Sequence, residues 1–130
     1  FNNGWFATGD IGRIDQYGLL EILDRHDDIL IRGGENIYTV EVENILVAYP
    51  GVIEAAVLGR DHPVLGQEVV AFVRTKPQQN ITEEELILHC RKNLAEFKIP
   101  VVLNLTSDPL PTNAAGKILK RSLQNIITHA

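Results

Sequence analysis

The sequence contains no methionine and a single cysteine, Cys90. Because it lacks an initiator residue, the 130-residue chain beginning FNNGWF is expected to be an excised or processed piece of a longer protein. One cysteine excludes a disulfide framework within the chain, and no signal-peptide pattern is found at its start. These features favour a reducing, cytoplasmic compartment.

Long apolar runs and an excess of positive charge are also missing. No stretch approaches the roughly 20 consecutive apolar residues of a membrane span. Acidic residues outnumber basic ones by 17 to 12, and no stripe of Lys and Arg suited to nucleic-acid phosphates is present. With 45% hydrophobic and 22% charged residues, the composition predicts one soluble globular domain with its own core. We therefore expect no membrane span and no nucleic-acid partner.

Residues that could form a metal site or a nucleophilic dyad are dispersed. The four histidines lie far apart, at positions 26, 62, 89 and 129, and none has zinc-ligand spacing from Cys90. Cys90 falls on the apolar stripe of a predicted helix, where a small buried hydrophobic residue is the ordinary explanation. Neither Ser107 nor Ser122 has a neighbouring base or a Gly-x-Ser-x-Gly setting. No metal site and no thiol or serine nucleophile is expected.

The strand patterns begin with a hairpin. Two short apolar stretches flank the turn-type cluster Asp15-Gln16-Tyr17-Gly18, which predicts a β-hairpin. A short strand from Ile29 to Arg32 ends at Gly33-Gly34, where the backbone can turn tightly or be approached closely. The β-branched runs VIEAAVLGR and EVVAFVRT predict two strands of one sheet, and VVLNLTS predicts another strand.

Three helices are predicted. The first begins near Thr39, whose hydroxyl could cap it, and stops before Pro50-Gly51. The second has Thr82 as its N-cap, with Glu85 completing a capping box. The third starts at Lys117 within GKILKRSLQNIITHA and carries one apolar stripe, formed by Ile118, Leu119, Leu123 and Ile126. The predicted fold class is α+β: a small mixed sheet with helices packed on it, preceded by a β-hairpin.

Three charged residues stand out, each with two interpretations. Asp10 could bond its own turn or accept hydrogen bonds from two adjacent sugar hydroxyls. Arg25 could form a weak local ion pair in DRHDD or aim its planar fork at a nucleotide. Lys117 follows a small, flexible Ala-Ala-Gly run, and it could be a solvated surface lysine or a compact charge that meets a phosphate. The residues alone leave these alternatives open.

Three longer stretches resemble one family when taken together. GWFATGD, DRHDDILIRGGENIYTVEVE and PTNAAGKILKR occur in the order and spacing of the C-terminal part of the acyl-CoA synthetases. These belong to the adenylate-forming enzymes, with luciferases and peptide-synthetase adenylation domains. The resemblance implies a ligase that forms an acyl-adenylate and pyrophosphate from ATP and a carboxylic acid, expected to be a fatty acid. The CoA thiol then displaces AMP, and Mg²⁺ accompanies the ATP.

The resemblance also implies roles for individual residues. The aspartate of the Thr-Gly-Asp motif, Asp10, would bind the ribose hydroxyls of the nucleotide, assisted by Arg25. The catalytic lysine of the last motif, Lys117, would contact the acid and the ATP phosphates during adenylation. Asp27 would be the hinge about which the small domain swings between the two half-reactions. Gly33 and Gly34 would border the pantetheine tunnel after that swing.

The same resemblance implies a division of the chain and of the enzyme. Residues 1–24 would be the terminal hairpin of the large N-terminal adenylation domain, and residues 25–130 the mobile C-terminal lid domain. The chain departs from many relatives at Thr39, where they have proline, and at Lys120, often arginine. The phosphate loop, the adenine pocket and the acid pocket would lie in the N-terminal domain, so the fragment is expected to be inactive alone. Two alternatives stay open: an adenylation domain that loads a carrier-protein thiol, and a noncatalytic module that docks a partner.

Overall fold

A two-stranded hairpin, a five-stranded sheet and three helices form the fold in the computed structural model, which describes residues 4, 8–25 and 28–129. The strands are β1 (Asp10–Ile14), β2 (Leu20–Arg25), β3 (Leu30–Arg32), β4 (Glu35–Ile37), β5 (Val52–His62), β6 (Gly66–Thr75) and β7 (Val102–Thr106). The helices are α1 (Thr39–Val47), α2 (Glu83–Asn93) and α3 (Lys120–His129). The predicted α+β class with a preceding hairpin is confirmed.

The hairpin of β1 and β2 is held at its turn by one aspartate. Asp15 Oδ1 accepts hydrogen bonds from the backbone N–H groups of Tyr17, at 2.8 Å, and Leu19, at 2.9 Å. An aspartate that bonds the backbone two residues on is a common way to fix such a turn. At the open end of the hairpin, the register places Asp10 directly opposite Arg25. A register shift between Ile11 and Gly12 separates this pair from the turn, so the turn and the shift together place Asp10 opposite Arg25.

The larger sheet is mixed, as predicted, and helices cover both of its faces. Its strands lie in the order β4-β3-β6-β5, and β7 pairs with β6 in parallel. β6 supplies alternate side chains to two cores, because successive residues of a strand point to opposite faces. Val69, Ala71 and Val73 are buried with residues of α1 and α2, whereas Val70 and Phe72 are buried with a residue of α3.

The two predicted helix caps have different outcomes. Thr82 caps α2, because its Oγ1 accepts a hydrogen bond from the Glu85 backbone N–H at 3.2 Å. The carboxylate of Glu85, the other member of the predicted capping box, accepts a hydrogen bond from the Tyr49 hydroxyl at 3.2 Å. α1 begins at Thr39 as predicted, but the N-cap is the preceding residue. The buried Thr39 hydroxyl instead accepts a hydrogen bond from Lys120 Nζ at 3.0 Å, so the prediction that it caps α1 was wrong.

The last helix differs from its prediction at the start and along one face. α3 begins at Lys120, three residues later than predicted, because Ile118 is held in an antiparallel bridge outside the helix. Leu123 is buried as predicted, whereas Ile126 is 55% exposed. Ile127, four residues after Leu123, packs against the core in its place. At the C-terminal end of α3, the apolar stripe therefore passes through Ile127 and not through Ile126.

The outer edge of β5 is closed by side chains from two helices. Glu43 Oε1 of α1 accepts a hydrogen bond from the Val57 backbone N–H at 3.0 Å. Gln124 Nε2 of α3 donates to the Gly59 carbonyl at 3.1 Å. An uncovered edge strand invites pairing with another chain. These contacts block that pairing and also anchor Glu43 beside the cleft described below.

Gly59→Ala is expected to destabilise the β5–β6 pair by about 1–3 kcal/mol, because it overfills a packed site. A Cβ at this position would lie 2.9 Å from Leu30 Cδ2 and 2.5 Å from Gln67 Nε2. Hydrogen exchange of the β5 and β6 amides measures the loss. The same substitution in a Gln67→Ala background should cost less, and an equal cost in both backgrounds would contradict the steric explanation.

Candidate functional site

A cleft of about 590 Å³ lies between the open end of the hairpin, α1 and the loop before α3. Its polar walls are formed by the side chains of Asp10, Arg25, Asp28, Glu43, Lys117 and Lys120. Apolar residues of β2 and α1, among them Ile22 and Val40, complete it. Three residues singled out in the sequence, Asp10, Arg25 and Lys117, thus line one space although they come from distant parts of the chain.

Asp10 and Arg25 form a cross-strand pair at the edge of the cleft. Asp10 Oδ1 lies 3.5 Å from Arg25 Nε, and the two side chains are 33% and 62% exposed, respectively. An ion pair of this exposure contributes little to stability, because water screens it. A carboxylate can accept several hydrogen bonds, so contact with one arginine leaves capacity for further donors. Asp10 therefore contacts Arg25 across the hairpin, and its role toward the ribose stays a prediction.

Lys117 lies in an ordered loop rather than at the start of a helix. Asn113 Oδ1 accepts hydrogen bonds from the backbone N–H groups of Ala115, at 2.9 Å, and Lys117, at 3.0 Å. The Asn113 N–H donates to the Lys117 carbonyl at 2.8 Å. Gly116, with φ of 83°, supplies the left-handed backbone of this turn. The prediction that the helix begins at Lys117 was therefore wrong, and the loop presents an exposed Lys117 side chain at the cleft.

Sequence reasoning missed a cluster of charges at the back of the cleft. Lys120 Nζ lies 2.7 Å from Glu43 Oε1 and 4.0 Å from Asp28 Oδ2. The side chains of Lys120 and Glu43 are only 22% and 19% exposed. A lysine in the first turn of a helix faces the positive end of the helix dipole. This unfavourable position indicates that acidic side chains lie near Lys120. It can be recognised only once the start of α3 is known.

Gly33 and Gly34 lie elsewhere, at the turn between β3 and β4. Their φ angles of 56° and 84° fall in the left-handed region that favours glycine. The Gly33 N–H donates to the Leu65 carbonyl at 2.8 Å. The predicted tight turn is confirmed, while the pantetheine role of the two glycines stays a prediction. The predicted hinge residue, Asp27, lies outside the described residues.

The acids of the cleft are paired with cations rather than grouped as metal ligands. Asp10 lies against Arg25, and Asp28 and Glu43 lie against Lys120. Within residues 4, 8–25 and 28–129, no group of three or more His, Cys, Asp or Glu side chains could hold a metal ion. No helix in the same part of the chain is long and apolar enough to cross a membrane.

Cys90 is buried in the core on α2, away from the cleft, and its burial raises the pKa of the thiol to about 11. Because the thiolate is the reactive form, we expect iodoacetamide to label native Cys90 at pH 8 about a hundredfold more slowly than the urea-unfolded protein. Peptide-resolved mass spectrometry measures both rates. Equal rates in the two states would contradict the burial of this thiol.

Comparison with known proteins gives the family. Residues 41–117 match the AMP-binding enzyme C-terminal domain. The chain is 46% identical over 95% of its length to the 2-succinylbenzoate–CoA ligase of Geobacillus kaustophilus. It is 44% identical over 97% of its length to the peroxisomal trans-cinnamate:CoA ligase of Petunia hybrida. It covers only 25% and 22% of these relatives, so it spans about a quarter of their length.

A solved structure agrees in fold over nearly the whole chain. O-succinylbenzoate coenzyme A synthetase from Bacillus subtilis, in complex with ATP and magnesium ion, superposes with a TM-score of 0.86 at 40% identity. The match covers 95% of this chain and 25% of that one. The family match, the identities and the shared fold agree with the resemblance of the three sequence stretches. The chain therefore belongs to the AMP-binding enzyme C-terminal domain family, the C-terminal portion of adenylate-forming enzymes that include CoA ligases.

Proposed function

We propose that the chain is the C-terminal part of an ATP-dependent carboxylic acid–CoA ligase that forms AMP and pyrophosphate. The observation that carries this proposal is the convergence of Asp10, Arg25 and Lys117 on one cleft. The relatives named above are CoA ligases, which supports the same class of reaction. The remaining three quarters of such an enzyme would supply the phosphate loop, the adenine pocket and the acid pocket.

The side chains of the cleft suit the ribose and the phosphates of a nucleoside triphosphate. Asp10 can accept hydrogen bonds from both ribose hydroxyls, with Arg25 holding the carboxylate in place. Lys117 would place a compact positive charge beside the attacking carboxylate and the phosphates, where it can stabilise the negative charge that develops on the departing pyrophosphate. Because the acids of the described residues are not arranged as a metal site, the Mg²⁺ that accompanies ATP would be held mainly by the N-terminal domain.

The exposed apolar face of the hairpin supports the proposed division of the chain. Ile14, Tyr17, Leu19 and Leu20 are between 65% and 79% exposed around the turn. Several large apolar side chains gathered at one end indicate a surface that another part of the protein covers. We assign residues 1–24 to the large N-terminal domain and residues 25–130 to the mobile lid, with Asp27 as the hinge. Rotation of the lid would withdraw Lys117 and place Gly33 and Gly34 beside the tunnel that takes the pantetheine of CoA.

The acid substrate is tested most directly with a panel. Full-length protein is incubated with ATP, Mg²⁺, CoA and either 2-succinylbenzoate, trans-cinnamate or a fatty acid. The two aromatic acids are included because the named relatives act on them, and the fatty acid because the sequence led us to expect it. We expect AMP, pyrophosphate and an acyl-CoA from one member of the panel, and no activity from the 130-residue chain alone.

Two results of the panel would count against the proposal. Release of ADP and phosphate in place of AMP and pyrophosphate would exclude the adenylate-forming reaction. Acid-dependent pyrophosphate exchange without any acyl-CoA would indicate a different acceptor, such as the pantetheine thiol of a carrier protein. Adding a phosphopantetheinylated carrier domain to the same reaction separates the two acceptors.

A further inference from the structure

Lys120 occupies a position in α3 that its charge alone does not favour. It is the first residue of the helix, where the dipole presents positive partial charge and a cation is disfavoured. Its side chain is nevertheless 78% buried by its surroundings, with 22% left exposed. A buried ammonium needs partners that replace its hydration. The structure supplies them in the Glu43 carboxylate and the Thr39 hydroxyl, both within 3.0 Å of Nζ.

The partners of Lys120 are themselves fixed to the body of the domain. Glu43 Oε1 also accepts a hydrogen bond from the Val57 N–H on the edge of β5, at 3.0 Å. Thr39 is the first residue of α1 and is 1% exposed. Asp28, 4.0 Å from Lys120 Nζ, is next to the predicted hinge residue Asp27 in the sequence. Lys120 therefore joins the start of α3 to α1, to the sheet and to the neighbourhood of the hinge.

The segment between Lys117 and Lys120 transmits this anchorage to the loop. Ile118 forms an antiparallel bridge with Thr112, and the Leu119 N–H donates to the Pro111 carbonyl at 2.8 Å. Only two residues separate the two lysines, so a displacement of Lys120 moves the base of the loop that carries Lys117. Both lysines line the same cleft, but their surroundings differ: the Lys120 side chain is largely buried and paired, and Lys117 is exposed.

The charges of the cleft give Lys120 a second effect. Glu43 and Asp28 would attract the Lys117 ammonium if they were left without a cation. Lys120 lies against both carboxylates. With these acids occupied, the Lys117 ammonium remains directed to a ligand rather than to the wall of the cleft.

We propose that Lys120 is a positioning residue for adenylation: it ties the Lys117 loop to α1 and to Asp28, and it keeps Lys117 available to the reacting phosphates. The inference rests on the proposed function of Lys117. Lys120 makes no substrate contact in this scheme and acts only through Lys117. Arginine at this position could keep the charge and the contacts, whereas methionine would keep much of the volume and lose both.

The experiment compares four single variants and one double variant of the full-length enzyme by pyrophosphate exchange, using the acid identified from the panel above. Lys120→Met is expected to lower the kcat of exchange about tenfold or more, since small displacements of a reacting group are costly. Lys120→Arg should stay within about threefold of wild type, because it keeps the charge and its carboxylate contacts. Arg121→Met removes the charge of the next, exposed residue and controls for a general loss of positive field.

Lys117→Ala separates the inference from the proposed function. If Lys120 acts through Lys117, Lys120→Met causes little further loss, within about twofold, in the Lys117→Ala background. Thioester formation from supplied acyl-adenylate should stay within about threefold of wild type in Lys120→Met, because Lys117 serves the adenylation step.

Four outcomes would overturn the inference. One is an undiminished loss from Lys120→Met when Lys117 is already alanine, and another is an equal loss in both half-reactions; each would mean a purely structural role. The third is unchanged exchange in Lys120→Met while Lys117→Ala is inactive, which overturns the inference alone. Unchanged exchange in Lys117→Ala would overturn the proposed role of Lys117 and this inference together.

Discussion

Replacing Lys117 with alanine in the full-length protein is expected to slow acid-dependent pyrophosphate exchange by about a hundredfold or more. The side chain is exposed at the cleft on a loop that Asn113 closes, so its removal leaves the surrounding backbone contacts in place. The loss would therefore fall on kcat, because the ammonium is matched to charge that develops in the transition state. Thioester formation from pre-made acyl-adenylate should be largely unaffected.

Lys92→Ala is the matched control for this variant. Lys92 is also an exposed lysine, but it lies in the last turn of α2 and does not line the cleft. It should leave both half-reactions at the wild-type rate. Unchanged exchange in Lys117→Ala would remove this lysine from the mechanism, and equal losses in the two half-reactions would contradict a lid that withdraws it between them.

The central sheet could be predicted from the sequence because burial on both faces leaves a strong local pattern. β5 and β6 are β-branched runs, and their residues alternate between two cores, so the apolar character is nearly continuous. Thr82 is predictable as a cap because its hydroxyl bonds the backbone only three residues away. Such short-range contacts depend on the local sequence alone.

The start of α3 could not be predicted because a side chain competes there with helical hydrogen bonding. Asn113 accepts two backbone N–H groups of the Ala-Ala-Gly-Lys segment, which turns the chain back on itself before the helix begins. The sequence around Lys117 is rich in good helix formers, so its local preference pointed the other way. Tertiary contacts then decide: Ile118 pairs with Thr112 outside the helix, and Leu123 and Ile127 of α3 pack into the core.

The candidate site was predictable only in the residues that carry a recognisable motif. Asp10, Arg25 and Lys117 could be named from the resemblance, although the sequence did not show that they share one cleft. Lys120 and Glu43 are separated by 77 positions and bonded at 2.7 Å, a contact that no local spacing reveals. The contact can be recognised only when the packing of α1 against the edge of β5 is known. There the Val57 N–H donates a hydrogen bond to Glu43.

Asp10→Asn is expected to raise the KM for ATP by about 10- to 100-fold, because hydrogen bonds to a charged acceptor contribute about 1.5–3 kcal/mol each. Asparagine keeps the size of the side chain but loses the charge and one acceptor oxygen, so it can no longer accept equally from two ribose hydroxyls. The ribose does not react, so its contacts are the same in the ground state and the transition state and kcat should change little. The ATP dependence of pyrophosphate exchange in the full-length protein measures both constants.

Glu21→Gln supplies the control within the same hairpin. Glu21 is also a carboxylate paired with an arginine, Arg13, at 2.6 Å, but it lies outside the cleft that Asp10 lines. Neutralising it should leave the KM for ATP unchanged, because in the proposed function it is Asp10, at the open end of the hairpin, that binds the nucleotide. A similar rise in KM for both variants would assign the effect to hairpin stability or to the overall negative charge of the hairpin, and not to a contact of Asp10 with the ribose. A fall in kcat at unchanged KM would place Asp10 beside Lys117 in the chemical step, since the two substitutions would then impair the same transition state.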